Sequence, residues 1–91
     1  KMDKKFLHKV IDQIVSETNI DYDKKKIYFP FSSTSLSFPD HYYFHFYSFP
    51  THFSVSFSDH CKDVYGLNKD EVKYVWKEYR EIIKEKLNNG L

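Results

Sequence analysis

The stretch that decides the fold is residues 27–58, IYFPFSSTSLSFPDHYYFHFYSFPTHFSVSFS. It holds twelve of the eighteen aromatic residues and eight serines, but Asp40 is its single formal charge. Apolar and polar side chains alternate along it with a period of two, which is the pattern of a strand with two unlike faces. Charged residues are frequent on both sides of the stretch. We therefore expect a central sheet between flanking helices.

The alternation in residues 42–46 and 53–57 predicts a hairpin whose loop is residues 48–51. Its apolar face pairs Phe46 with Phe53, Phe44 with Val55 and Tyr42 with Phe57. A second hairpin, turning at residues 39–41, adds a strand that carries Leu36 and Phe38. An earlier strand starts at Ile27, and Pro30 places it at an edge of the sheet.

Helix signals flank this sheet. Asp3 is a cap for a helix over about residues 3–18, which has one wide apolar stripe. Gly66 ends a short helix over about 59–65, and the capping box Asn68–Glu71 starts a long one over about 69–88. The expected strands lie within 26–57. The sequence thus predicts one α+β domain over 1–91, an antiparallel three- or four-stranded meander with the helices packed on one face, in the order α-β-β-β(-β)-α-α.

The second face of the predicted sheet is neutral and polar. It carries the interface candidates Tyr43, His45, Tyr47 and His52. Tyrosine and histidine bury a large area at low rotamer cost, so this face favours a homodimer, formed there or along a strand edge. The alternatives are a solvated sheet face and a platform on which unpaired bases stack. The predicted function is a small self-associating interaction module.

The long C-terminal helix carries a stripe of cations. At 100° per residue its five members fall within an arc of about 80°; they are Lys69, Lys73, Lys77, Arg80 and Lys84. Such a line suits contact with a phosphate backbone, which makes a nucleic-acid-binding accessory protein the alternative function. Acidic residues occupy the adjacent arc, and a charge-striped helix is also the ordinary form of a solvated face.

No sequence pattern indicates catalysis, a metal site or a cofactor. The chain lacks a glycine-rich phosphate loop, and the histidines on the predicted strands are not spaced for one metal ion. Cys61 is the only cysteine, so no internal disulfide forms, and we expect it to be a small packing residue of a cytoplasmic protein. No apolar run approaches the roughly 20 residues of a membrane helix.

The order α-β-β-β-α is similar to that of double-stranded-RNA-binding domains. That family uses a basic cluster at the start of its last helix, where this chain has residues 68–71, Asn-Lys-Asp-Glu. The resemblance implies RNA contacts by Lys69 and Lys73. It is a resemblance of topology, since residues 31–34, Phe-Ser-Ser-Thr, stand where the family has a Gly-Pro-His loop.

Residues 60–67, HCKDVYGL, together with 74–76, YVW, and 78–79, EY, resemble the C-terminal segments of small uncharacterised proteins from marine tailed phages. The composition agrees with an AT-rich genome, because the chain has no alanine and thirteen of its fourteen cations are lysine. This resemblance implies an accessory protein that acts in the cytoplasm of an infected bacterial cell.

Overall fold

The computed structural model describes residues 2–39 and 49–90. Helix α1 spans Lys4–Glu17, and three short strands follow, β1 (Asn19–Asp21), β2 (Lys26–Tyr28) and β3 (Leu36–Ser37). Helices α2 (Thr51–Tyr65) and α3 (Lys69–Gly90) complete the chain. The strands form an antiparallel sheet in the order β1-β2-β3. The predicted α+β class and the element order α-β-β-β-α-α are confirmed.

The helix termini follow the local signals. The Asp3 carboxylate accepts a hydrogen bond from the Phe6 N–H at 3.1 Å, which satisfies one of the unpaired amides of the first turn. Gly66 ends α2 in the left-handed conformation with φ 65°, where a side chain is disfavoured. Asn68 and Glu71 exchange side-chain-to-backbone hydrogen bonds of 2.9 Å at the start of α3. The predicted cap, stop and capping box are therefore confirmed.

The strand predicted at 53–57 is wrong, because these residues belong to α2. Phe53, Phe57 and Cys61 are all buried and recur every fourth residue, which is one face of a helix. Val55, which the strand would bury, is 57% exposed. A spacing of four residues fits the strand period of two and also the helix period of 3.6. Phe53 and Phe57 alone therefore do not distinguish a strand from a helix. The helix expected over 59–65 consequently begins at Thr51, so residues 49–51, the described part of the expected hairpin loop, lead into a helix and not into a strand.

Two features of the sheet differ from the expectation: the strand at Ile27 was expected at an edge but is the central strand β2, and one strand precedes the expected range. β1 lies outside the expected strand range 26–57 and pairs Ile20 with Ile27. β3 contains Leu36 as predicted, but the pairing expected for residues 42–46 lies outside the described residues. A strand of three residues carries too little alternation to be recognised from its sequence.

Helix α1 runs in the same direction as α3. His8 contacts Tyr74 near the start of both helices, and Thr18 contacts Tyr79 further along. Beyond α1, Tyr22 reaches the Lys86 carbonyl near the end of α3. Between α1, the sheet, α2 and α3 lies a core rich in aromatic rings. Its largest fully buried side chains are Tyr79, Phe53, Phe57, Leu7, Ile11 and Ile14.

Candidate functional site

Helix α3 separates its acids from its bases on two flanks. Tyr74 and Trp76 are two residues apart, so they point about 160° away from each other. Tyr74 contacts α1, since its hydroxyl lies 3.0 Å from His8 Nε2. Trp76 packs on Phe57 of α2, with ring centroids 4.5 Å apart. The two neighbouring helices therefore define the two flanks.

The acidic arc lies on the α1 flank. It straddles Tyr74 on the helical wheel and consists of Asp70, Glu71, Glu78, Glu81 and Glu85. Lys4 of α1 places its ammonium 5.5 Å from the centroid of the Tyr74 ring. The ammonium of Lys4 thus lies on the same flank of α3 as the acidic arc.

The basic arc lies beyond Trp76, on the other flank. Lys69, Lys73 and Lys77 are exposed, and within residues 2–39 and 49–90 none of them makes an ion pair. They follow one another at four-residue spacing, about 6 Å along the axis. Their three ammonium groups are therefore available to an external anion.

Arg80 is the member of the basic arc that is fixed to the core. Its Cζ lies 5.0 Å over the Trp76 ring centroid, and its Nε donates to the Trp76 carbonyl at 3.3 Å. Burial lowers the pKa of this guanidinium, and the Glu81 charge acts in the opposite direction. Lys84 ends the arc, with its ammonium 3.8 Å from a Glu81 oxygen in a pair that is open to solvent.

Of the four interface candidates of the predicted sheet face, the structure describes only His52. Tyr43, His45 and Tyr47 lie outside them. His52 is exposed in the first turn of α2, with its ring against Phe53 at 4.2 Å between centroids. The expected position of His52 on a sheet face is wrong, because this residue lies in helix α2 and not on a strand. The homodimer stays a prediction, which light scattering at micromolar concentration tests.

Cys61 and His60 are neighbours in α2 that differ in burial, since Cys61 is buried and His60 is half-buried. Cys61 is fully buried, as expected of a packing residue, and burial raises the pKa of its thiol to about 12. The His60 ring lies between those of Phe31 and Tyr65, at 6.4 and 5.9 Å. Its Nε2 is buried without a hydrogen-bond partner among the described residues. The adjacent positions of His60 and Cys61 in the sequence did not predict these two ring contacts.

Residues 2–39 and 49–90 contain neither a cluster of metal ligands nor a helix that could span a membrane. No three side chains of His, Cys, Asp or Glu come together there as ligands for a metal ion. No helix within those ranges has the length and apolar character needed to cross a membrane.

Comparison with known proteins adds no relative: no family model, curated protein or solved structure matches this chain.

Proposed function

We propose that this protein binds nucleic acid, and that the basic arc of α3 contacts the phosphate backbone. The observation that carries the proposal is the row of exposed lysines at Lys69, Lys73 and Lys77, which lack ion-pair partners in the described part of the chain. The acids of α3 lie in the neighbouring arc, on the side of Tyr74, so they do not interleave with these three lysines.

The spacing of the row suits an extended polyanion. From Lys69 to Lys84 the arc is about 22 Å long, at 1.5 Å per residue. A lysine ammonium is a point charge on a flexible stem, and it contacts phosphates without the fixed geometry that a base edge requires. The expected binding is therefore independent of sequence and depends on the release of counterions.

The overall charge makes the effect local. A formal net charge of +1 gives no long-range attraction, so the affinity depends on the few contacts of the arc itself. Non-specific binding of this type has dissociation constants of roughly 10⁻⁴ to 10⁻⁶ M at physiological salt.

The test is fluorescence anisotropy with a labelled random-sequence oligonucleotide over a series of salt concentrations. The variant Lys73→Gln/Lys77→Gln removes two contacts, so the slope of log K against log salt, which is negative, should become smaller in magnitude by about 2. The matched control is Lys5→Gln/Lys9→Gln, which removes the same charge from exposed positions of α1. Its slope should remain that of the parent protein.

Two results would reject the proposal. One is no binding of the parent protein at low salt. The other is an equal loss of slope in the α1 control, because the contacts would then come from general charge and not from the basic arc.

A further inference from the structure

A cleft opens where the ends of α1 and α3 meet strand β1. Its volume is about 500 Å³, within the range of small-molecule sites. Its apolar wall is formed by Val15 of α1, Ile20 of β1 and Ile83 of α3. Ile83 is fully buried, while Val15 and Ile20 are half-buried. The cleft therefore has an apolar wall and is open to solvent on one side.

One hydrogen bond and one ring contact hold Tyr22 at the side of the cleft. Tyr22 lines one side, and its hydroxyl donates to the Lys86 carbonyl at 3.1 Å. The other end of this residue is fixed as well, because its ring packs edge-on against Phe38 with centroids 6.3 Å apart. The residue that follows strand β1 is thus tied to the last turns of α3 beside the cleft.

The polar lining of the cleft includes two donors on α3, while the Thr18 hydroxyl is engaged by Ile14 and Tyr79. The ammonium of Lys86 makes no ion pair within residues 2–39 and 49–90. The amide of Asn89 makes no hydrogen bond there either, and these two residues are three apart on one face of α3. The Tyr22 hydroxyl proton is already given to a carbonyl. An ammonium beside an amide NH₂ is the donor set that a carboxylate accepts from.

We propose that this cleft binds a small carboxylate with an unbranched apolar tail. The tail lies along Val15, Ile20 and Ile83, and the carboxylate contacts Lys86 and Asn89. The proposal does not depend on nucleic-acid binding, because Lys86 lies outside the basic arc.

The probe is octanoate, titrated into ¹⁵N- and methyl-labelled protein and followed by NMR. Saturable shifts should be confined to the residues of the cleft. Shortening the chain to hexanoate should weaken binding, by up to about fourfold for each methylene removed. Octylamine, which has the same tail and the opposite charge, should bind at least fivefold more weakly than octanoate.

Two variants locate the head and the tail of the ligand. Lys86→Gln, at an exposed position, should raise the dissociation constant of octanoate about fivefold. The control Lys9→Gln on α1 should leave it unchanged. Ile20→Thr, which places a hydroxyl on the apolar wall, should remove the dependence on chain length. Absence of saturable shifts at millimolar octanoate, shifts centred elsewhere, or equal binding of octylamine would overturn the proposal.

Discussion

The guanidinium of Arg80 lies over the indole ring of Trp76, with its Cζ 5.0 Å from the ring centroid, and its Nε donates to the carbonyl of the same residue. Trp76 in turn packs on Phe57 and Phe49, at 4.5 and 5.4 Å between centroids. One cation of the basic arc is therefore part of the packing between α2 and α3, whereas the lysines before it extend into solvent.

This contact predicts a stability difference within the arc. Arg80→Gln removes the cation–π contact, so the free energy of unfolding should fall by about 1 kcal/mol. Lys73→Gln, at an exposed position of the same arc, should change it by less than about 0.5 kcal/mol. Urea unfolding followed by Trp76 fluorescence measures both. Equal effects of the two substitutions would contradict the anchoring role of Arg80.

Thr18 and Tyr79 predict an asymmetric pair of substitutions. Thr18 donates its proton to the Ile14 carbonyl at 2.8 Å, so the Tyr79 hydroxyl must be the donor in their 2.7 Å contact. Tyr79 is fully buried, and this burial raises its pKa. Thr18→Val leaves that hydroxyl without an acceptor and should cost about 2 kcal/mol, whereas Tyr79→Phe removes it and should cost about 1 kcal/mol.

Chemical denaturation of both single variants and of the double variant measures this pair. The double variant should be close to Tyr79→Phe, because the orphaned hydroxyl is then absent. A larger loss for Tyr79→Phe than for Thr18→Val would show that the ring position, and not the hydroxyl pair, determines the stability here.

The buried thiol predicts a pH dependence. Burial raises the pKa of Cys61 from 9.0 to about 12. Between these values the unfolded chain loses a proton that the folded protein retains, so stability is complete below pH 9 and decreases as the pH rises. Cys61→Ala loses packing at every pH but has no thiol to ionise. The stability difference between the parent protein and Cys61→Ala should therefore shrink from pH 8 to pH 10, as measured by thermal unfolding. A constant difference would contradict the assignment.

The helix termini could be predicted from the sequence, whereas the choice between strand and helix for residues 53–57 could not. The Asp3 cap, Gly66 and the Asn68–Glu71 box act within a few residues, so each was found. Phe53 and Phe57 were assigned to a strand because their four-residue spacing fits a strand as well as a helix. The exposure of Val55 decides between the two, and exposure is a tertiary property.

The candidate sites show the same division. The basic arc follows from the 100° step of the helix alone. That the acids of α3 face α1 requires the contact of Tyr74 with His8, which joins residues 66 positions apart. The cleft beside Tyr22 brings together residues of α1, β1 and α3, and no local pattern joins Val15 to Ile83.

The parallel pairing of α1 with α3 affects the order of folding. The chain between Glu17 and Lys69 must close before these helices meet, and the entropy cost of closure rises with loop length. Helix α2 reaches α3 through three residues, 66–68, so this helical hairpin has the shortest loop and should form in the transition state. Docking of α1 then comes last, and Val10→Ala should speed unfolding while leaving the folding rate nearly unchanged. The expected order of folding is therefore the reverse of the order along the chain, with the two C-terminal helices pairing before the N-terminal helix docks.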